Sequence, residues 1–210
     1  SPAAYQPVPY MASYAAAKTA LRRRIRSARR ARLEAPDATA TRAEAGRALA
    51  AAVTAYLRTG APDRPVCRVA AYVALPTEPP TAELLTALRT NGHEVLLPVL
   101  EADNSLDWEL DGRLLGVEAL AAVDLVLTPG LAVDREGRRL GQGGGSYDRA
   151  LAHVRPGTPV FTLVWDEELL DDVVPTLPHD RPVDGVVTPG RGVLRLPADA
   201  EGPLTPGGRG

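Results

Sequence analysis

A glycine-rich segment in the second half of the chain combines bare backbone with charge, which makes it the first candidate for a functional site. Residues 137–149 read GRRLGQGGGSYDR and hold five of the chain's 19 glycines. Consecutive glycines let backbone N–H groups turn inward around an anion, and a helix that starts just afterwards adds its positive end. The segment therefore suits a phosphate group, although a glycine run alone is equally compatible with a flexible surface loop.

The residues around the glycines narrow the choice. The run lacks the Gly-Lys-Ser/Thr of a P-loop, and as a dinucleotide fingerprint it has Ser146 where the last glycine is needed. Arg138 and Arg139 precede the glycines, and Asp148 and Arg149 follow them. Cations, a backbone nest and a carboxylate thus lie together at a predicted strand-to-helix junction, as a phosphate site requires.

Asp148 is the candidate metal ligand. A Mg²⁺ ion that bridges phosphates needs only one or two protein carboxylates, and Asp148 lies in the first turn of a predicted helix. From the local sequence alone, a favourable interaction with the helix dipole is an equally good explanation. The three histidines, His93, His153 and His179, have no metal-ligand spacing, so we expect no zinc site.

A second charged segment lies near the N-terminus. Between Lys18 and Arg32 the chain has eight basic residues and no acidic one. Lys18 and Arg22 are four residues apart and therefore share one helix face. For most of this cluster a solvated helix surface is the better interpretation. Binding to nucleic acid is a further hypothesis, but no stacking aromatic residues accompany the arginines and the net charge of the chain is -2.

Hydrophobic periodicity and turn residues predict alternating helices and strands. Helices are predicted at 13–33, from Asp37 or Thr39 to about Leu57, after Thr81 as N-cap up to Asn91-Gly92, and at 147–154. Strands are predicted at 67–75, 94–100, 123–130, 158–165 and 184–189, with a short edge strand at 106–110. This alternation predicts the α/β class, as a three-layer sandwich with a mostly parallel sheet and helices on both faces.

Ligands of such folds bind beyond the carboxyl ends of the strands, where the candidate residues should meet. Glu78 follows the first strand and Trp165 ends the fourth, while the glycine-rich segment follows the third. The Glu78 carboxylate can accept hydrogen bonds from a ligand, and Trp165 can line a pocket. Tyr147 can stack on a ring or donate its hydroxyl to a phosphate, although core packing explains it equally simply.

Length and composition favour one domain in a reducing compartment. The chain has 210 residues and a single cysteine, Cys67, which excludes an intramolecular disulfide and which we expect to be buried. No apolar run reaches the roughly 20 residues of a membrane span. We expect a cytoplasmic monomer that binds small molecules and neither nucleic acid nor membrane, with a disordered leader at 1–12, one α/β domain at 13–196 and a flexible tail at 197–210.

The segment LVLTPGLAVDREGRRLGQGGGSYDRAL (125–151) closely resembles the signature of the 5-formyltetrahydrofolate cyclo-ligase family, also called 5,10-methenyltetrahydrofolate synthetases. That signature has a hydrophobic strand, Pro-Gly, an Asp before a Gly, and Arg-Leu-Gly-x-Gly-x-Gly-Tyr-Tyr-Asp. Further segments match in order and spacing: KTALR (18–22), TEPPTAELLTAL (77–88) and HDRPVDGVVTP (179–189). The resemblance implies an enzyme that uses ATP and Mg²⁺ to convert 5-formyltetrahydrofolate into 5,10-methenyltetrahydrofolate, with release of ADP and phosphate.

The resemblance also implies roles for individual residues. Arg139 and Tyr147 would be catalytic, and Glu78 would contact the folate. Trp165 joins the substrate site because of its position at a strand end, and Asp148 remains the candidate Mg²⁺ ligand. The implied ATP-binding set is Lys18, Arg22, Arg139, Gly141, Gly143, Gly144, Gly145 and Tyr147.

Two regions depart from the family pattern. Ser146 occupies the place of the first tyrosine, so an aromatic contact to the substrate is lost. The stretch 107–124 lacks a longer insert with a Gly-Ile-x-Glu-Pro-like segment. Either the protein lacks this segment, which would leave the substrate side more open, or the sequence omits a stretch between about Gly112 and Leu115. The alternative enzyme hypothesis is therefore a diverged relative that keeps the nucleotide site and uses a different acceptor.

Overall fold

The computed structural model describes residues 8–59, 65–177 and 180–197 of the chain. Its α-helices are α1 (Val8–Glu34), α2 (Ala38–Thr59), α3 (Ala82–Thr90) and α4 (Ser146–Leu151). Helix α1 begins at Val8, five residues before the start predicted from the sequence. Residues 1–7 and 198–210 lie outside the described residues, as does His179.

Eleven short strands form two sheets in the described residues. They are β1 (Arg68–Ala70), β2 (Glu94–Leu100), β3 (Leu106–Leu110), β4 (Arg113–Leu114), β5 (Leu125–Pro129), β6 (Ala132–Asp134), β7 (Arg139–Leu140), β8 (Val160–Leu163), β9 (Leu169–Leu170), β10 (Gly185–Thr188) and β11 (Gly192–Arg195). The large sheet has the order β11-β10-β8-β5-β1-β2-β3-β4, and the small one has the order β7-β6-β9. The five central strands of the large sheet run parallel, and antiparallel strands complete its edges.

The strand order reverses at β1. From β1 the chain moves to β2 on one side, and it later returns to place β5 on the other side. Crossovers that leave a strand in opposite directions open a crevice at its carboxyl end, which is where doubly wound sheets bind ligands. The topology therefore predicts a ligand-binding position beyond the ends of β1 and β5.

Successive side chains of the central strands point to opposite faces of the sheet and pack in two separate apolar layers. Val69, Leu125 and Phe161 pack on one face with residues of α2 and α3. Ala70, Val126 and Val160 pack on the other face with residues of α4 and of the 3-10 helix Val117–Ala122. Because parallel strands are buried on both faces, they read as continuous hydrophobic runs in the sequence. The predicted three-layer α/β architecture is confirmed.

Helix α1 belongs to neither of these layers. Its Ile25 packs in a third cluster with Leu131 and Leu140 of the small sheet region and with Val174. Through this contact α1 lies beside the loops that follow β5 and β7. The small sheet thus carries the basic helix to the carboxyl-end side of the large sheet.

Several local predictions need correction. The first strand covers only 68–70 instead of 67–75, because the chain leaves the sheet to form the loop that contains Glu78. The side chain of Thr81 does not cap α3; its hydroxyl donates to the carbonyl of Tyr72 and accepts from the N–H of Ala74. Cys67 is exposed, since it precedes the strand. Residues 107–124 run without a break through β3, β4 and the 3-10 helix.

Candidate active site

The ends of β1, β5 and β8 meet, as predicted. The indole Nε1 of Trp165, just after β8, donates to the carbonyl of Thr77 in the loop after β1 at 3.1 Å. Nη1 of Arg139 donates to the carbonyl of Pro129, the last residue of β5, at 3.1 Å. These two bonds bring Glu78, Trp165 and the glycine-rich segment to one edge of the sheet.

Arg139 is the charged residue that is fixed most firmly in the glycine-rich segment. It lies in β7, which pairs with β6, and its side chain is only 5% exposed. Its Nη2 donates to Oδ1 of Asp148 at 3.0 Å, while Nη1 binds the Pro129 carbonyl. Two anchors at opposite ends of the guanidinium hold it in one orientation, as recognition of a phosphate requires.

Asp148 combines a fixed position with access to solvent. It lies in the first turn of α4, and its side chain is 49% exposed. Oδ1 accepts from Arg139, whereas Oδ2 has no hydrogen bond within the part of the chain that is described. No group of three or more His, Cys, Asp or Glu residues that could hold a metal ion occurs in the described ranges. One carboxylate with a free oxygen suits an ion whose other ligands are phosphate and water oxygens.

The carbonyls of the glycine loop, residues 141–145, point towards three arginines. Nε of Arg22 donates to the carbonyl of Gly141 at 2.9 Å, and Nη2 of Arg26 donates to that of Gln142 at 2.8 Å. Arg149 donates to the carbonyl of Gly144 at 3.2 Å. No hydrogen bond among the described residues uses a backbone N–H of residues 142–145. These N–H groups remain available to an anion.

Two of the loop glycines have backbone angles that side chains rarely adopt. Gly143 has a φ of 111° and Gly145 a φ of 71°. A Cβ atom on Gly145 would also lie 2.9 Å from Nη1 of Arg149. The left-handed turn at Gly145 directly precedes α4, so glycine is required there for the loop to enter the helix.

Lys18 does not contact the glycine loop. Its Nζ lies 3.5 Å from Oδ2 of Asp180, next to residues 178 and 179, which are not described. Lys18 is one helical turn before Arg22, so both face the same side of α1. The structure therefore joins Arg22 to the loop and leaves the ATP-binding role of Lys18 as a prediction.

A buried polar cluster contains Glu78, Tyr72 and Tyr147, and the ring of Tyr147 connects it to Arg139. Glu78 is 4% exposed, and its Oε2 accepts from the N–H of Leu75 at 2.8 Å. Burial raises the pKa of the Glu78 carboxyl, and the Leu75 bond together with the charge of Arg29 lowers it only in part. The site thus contains a carboxylate whose charge is poorly solvated.

Two tyrosine hydroxyls share this environment. The hydroxyls of Tyr72 and Tyr147 are buried and make no hydrogen bond within the described ranges. Burial raises the pKa of both tyrosines, and the negative charge of Glu78 adds to this; for Tyr147 the positive charge of Arg139 opposes the increase only in part. The Tyr147 ring lies 5.8 Å from Cζ of Arg139 and packs edge-on to Trp108. Buried donors without partners are costly, so a ligand or water that accepts hydrogen bonds from these hydroxyls would be stabilised here.

Trp165 is buried and fixed by two different contacts. Besides the hydrogen bond to Thr77, Trp165 makes a cation–π contact: Cζ of Arg32 lies 4.4 Å from its ring centroid. Its backbone N–H donates to Oε2 of Glu168 at 2.9 Å. The indole N–H is therefore already used within the protein, and any contact with a substrate must use the ring.

Arg29 is the functional candidate that sequence reasoning missed. It is 2% exposed and forms a two-point ion pair with Glu168, although the solvated-surface interpretation of the basic cluster covered it. A signal was present in the sequence, because Arg29 follows the buried Ile25 by four residues and so lies on the same helix face. Arg23, Arg24 and Arg30 are exposed, as that interpretation predicts.

Comparison with known proteins identifies related chains. A family model described as the 5-formyltetrahydrofolate cyclo-ligase family matches residues 14–189, which include every candidate residue above. The 5-formyltetrahydrofolate cyclo-ligase of Mycolicibacterium smegmatis is 38% identical over 149 residues, covering 61% of this chain and 76% of the relative. The protein of the same name from Escherichia coli K12 is 32% identical over 145 residues, covering 59% and 78%.

Solved structures agree at the level of the fold. The 5,10-methenyltetrahydrofolate synthetase of Mycoplasma pneumoniae superposes with a TM-score of 0.65 at 20% identity, covering 80% of this chain and 96% of that one. The synthetase of the same name from Aquifex aeolicus gives a TM-score of 0.62 at 24% identity, covering 90% and 96%. Within the described residues, no helix has both the length and the apolar composition needed to cross a bilayer.

Proposed function

We propose that this chain, which belongs to the 5-formyltetrahydrofolate cyclo-ligase family, converts 5-formyltetrahydrofolate and ATP into 5,10-methenyltetrahydrofolate, ADP and phosphate. The observation that carries the proposal is the placement of Arg139. Its guanidinium joins the end of β5 to the start of α4, and its Cζ lies 5.8 Å from the ring of Tyr147, whose hydroxyl is buried. A phosphate donor bound at the glycine loop and a folate bound beside Tyr147 can therefore meet at Arg139.

The proposed reaction has two steps, phosphorylation of the formyl oxygen and ring closure by N10. The formyl oxygen attacks the γ-phosphorus and ADP leaves. N10 of the folate then attacks the formyl carbon, the N10 proton is lost, and the carbon–oxygen bond breaks as phosphate departs. Both steps place negative charge on phosphate oxygens, so positioned cations and backbone donors are the main demand on the protein.

The glycine loop and its neighbours meet that demand. The free N–H groups of residues 142–145 would bind phosphate oxygens, and Arg139 would stabilise the charge that develops on the transferred group. Asp148 would hold Mg²⁺ through its free Oδ2, and the ion, when bound, neutralises charge on the nucleotide phosphates. The catalytic assignment of Arg139 and Tyr147 belongs to this proposal.

The buried cluster would bind the folate. The Glu78 carboxylate can accept hydrogen bonds from N–H groups of a pterin ring, and the hydroxyls of Tyr72 and Tyr147 can donate to its oxygen or nitrogen atoms. Bonds formed in this poorly solvated place are strong because few water molecules compete for them. A cytoplasmic location and a monomeric state remain part of the same proposal.

The test is the near-ultraviolet absorbance of methenyltetrahydrofolate, followed after 5-formyltetrahydrofolate, ATP and Mg²⁺ are mixed with the protein. We expect an increase that requires all three components. Absence of product at micromolar protein would contradict the proposal, and binding of ATP without turnover would favour the diverged relative. For the nucleic-acid hypothesis, the corresponding test is salt-sensitive binding to RNA or DNA; Arg22, Arg26 and Arg29 already make hydrogen bonds within the protein.

A further inference from the structure

The ion pair between Arg29 and Glu168 occupies a central position beneath the site. Nε of Arg29 lies 2.8 Å from Oε1 of Glu168, and Nη2 lies 2.8 Å from Oε2. The two residues are 2% and 3% exposed. Burying two charges costs free energy that their attraction often fails to recover, so such a pair is weak support for a purely stabilising role.

The Arg29 side of the ion pair contacts the segment that positions Arg139. Nη2 of Arg29 also donates to the carbonyl of Gly130 at 2.6 Å. The preceding residue, Pro129, supplies the carbonyl that binds Nη1 of Arg139. Arg29 thus holds the peptide segment on which Arg139 rests.

The Glu168 side of the ion pair is linked through Trp165 to the loop that contains Glu78. Oε2 of Glu168 accepts from the backbone N–H of Trp165, whose indole donates to the carbonyl of Thr77. Thr77 directly precedes Glu78 in the loop after β1. Glu168 therefore fixes the strand end that supports the loop carrying Glu78.

Resting on the function proposed above, we propose that Arg29 is a positioning residue that sets the distance between the two halves of the site. Its guanidinium binds Gly130 and Glu168 at the same time, so it fixes the ends of β5 and β8 relative to α1. A shift of one ångström between reacting groups can cost about 100-fold in rate. Arg29 acts on the rate through Arg139, by positioning the peptide segment that Arg139 binds.

The test compares Arg29→Lys with Arg30→Lys. A lysine keeps the positive charge but lacks the fork that binds two partners at once. Arg30 is the next residue, is exposed and makes no side-chain hydrogen bond or ion pair with the described residues, so it is the matched control. We expect Arg29→Lys to lower kcat at least tenfold with small changes in both KM values, and Arg30→Lys to match the wild type.

A double-mutant cycle with Arg139→Lys separates positioning from general destabilisation. If Arg29 acts through Arg139, the double variant will be nearly as active as Arg139→Lys alone. Multiplicative losses of kcat, or an unchanged kcat with only a lower melting temperature, would overturn the inference. An inactive wild type would instead contradict the proposed function.

The comparison does not depend on one variant folding. Circular dichroism and melting temperature are measured first, and all assays are run well below the lowest melting temperature. If Arg29→Lys is not folded, Glu168→Asp takes its place in the cycle, because it keeps the charge and withdraws the carboxylate from Trp165 and Arg29. The expected result and the contradicting result are the same for this variant.

Discussion

The two halves of the site differ in their exposure to water. Asp148 beside the glycine loop is 49% exposed, whereas Glu78 in the buried cluster is 4% exposed. In the open half, charges are solvated and the loop offers N–H groups to an incoming anion. In the buried half, the carboxylate and the hydroxyls of Tyr72 and Tyr147 have lost water without gaining enough partners.

The difference in exposure to water suits the two halves to different ligands. Interactions between exposed charges are screened by salt and water, so the open half suits a highly charged ligand that brings its own counter-ion. Desolvated groups favour a ligand with complementary hydrogen-bonding atoms and penalise one that lacks them. Variants in the open half should therefore affect chemistry and metal dependence, and variants in the buried half should affect recognition and stability.

The largest effect is expected from Arg139→Ala, at the border between the halves. Removal of a positioned donor from a developing negative charge costs on the order of 100-fold or more in kcat. Arg138→Ala is the matched control, because the neighbouring Arg138 pairs with Asp134, whereas Asp148 pairs with Arg139. Initial rates of methenyltetrahydrofolate formation measure both. Equal rates for the two variants would place the chemistry elsewhere.

Asp148→Asn should lower kcat at least tenfold, about 1.4 kcal/mol of transition-state stabilisation, and raise the Mg²⁺ concentration needed for half-maximal rate. An amide keeps the shape and can still accept from Arg139, but it binds Mg²⁺ weakly. Asp171→Asn is the control, because that carboxylate is 87% exposed and pairs with Arg135. A Mg²⁺ requirement unchanged from wild type would leave Asp148 with a dipole or ion-pair role.

The open half was predictable from sequence because its parts are contiguous. Residues 137–149 contain the loop, Arg139 and Asp148, and the helical spacing of Lys18 and Arg22 indicated a shared face. The parallel sheet followed equally from continuous apolar runs such as 123–130, which the structure places between apolar layers on both faces. Local pattern and tertiary structure agree in these regions.

The buried half was only partly predictable, because its contacts join distant residues. Glu78 and Tyr147 were candidates, but nothing local indicates that Tyr72 would share their environment. The pairing of Arg29 with Glu168 spans 139 positions, and an arginine among seven other basic residues looks like surface. The early end of β1 and the bonds of the Thr81 hydroxyl also depend on tertiary contacts.

In the buried half, Glu78→Gln should raise the KM for 5-formyltetrahydrofolate about three- to tenfold and leave the KM for ATP nearly unchanged. The amide removes a charge-assisted acceptor, whose hydrogen bonds are roughly twice as strong as neutral ones. Glu83→Gln, on the exposed surface of α3, is the control. A larger change in the KM for ATP would remove Glu78 from the folate pocket.

The same variant should change the pH dependence of stability. Burial raises the pKa of Glu78 above its ordinary value of 4.5, so the folded protein favours the protonated form more than the unfolded chain does. Wild-type stability from this group is therefore present at low pH and is lost as pH rises through the folded pKa. Glu78→Gln should melt higher than wild type at pH 7, with a smaller difference at pH 4. A difference independent of pH would contradict this reasoning.

The smallest effect is expected from Tyr147→Phe, which tests whether the Tyr147 hydroxyl contacts a bound ligand. Because this buried hydroxyl has no partner among the described residues, its removal should leave the melting temperature unchanged or raise it. If the hydroxyl contacts a bound ligand, activity should fall about threefold at the same time, a loss of roughly 0.6 kcal/mol. Tyr72→Phe, which removes the second unpartnered hydroxyl, serves for comparison. Unchanged activity in Tyr147→Phe would reduce the residue to the packing of its ring against Trp108 and Arg139, and the buried half would then recognise its ligand through Glu78 and Tyr72 alone.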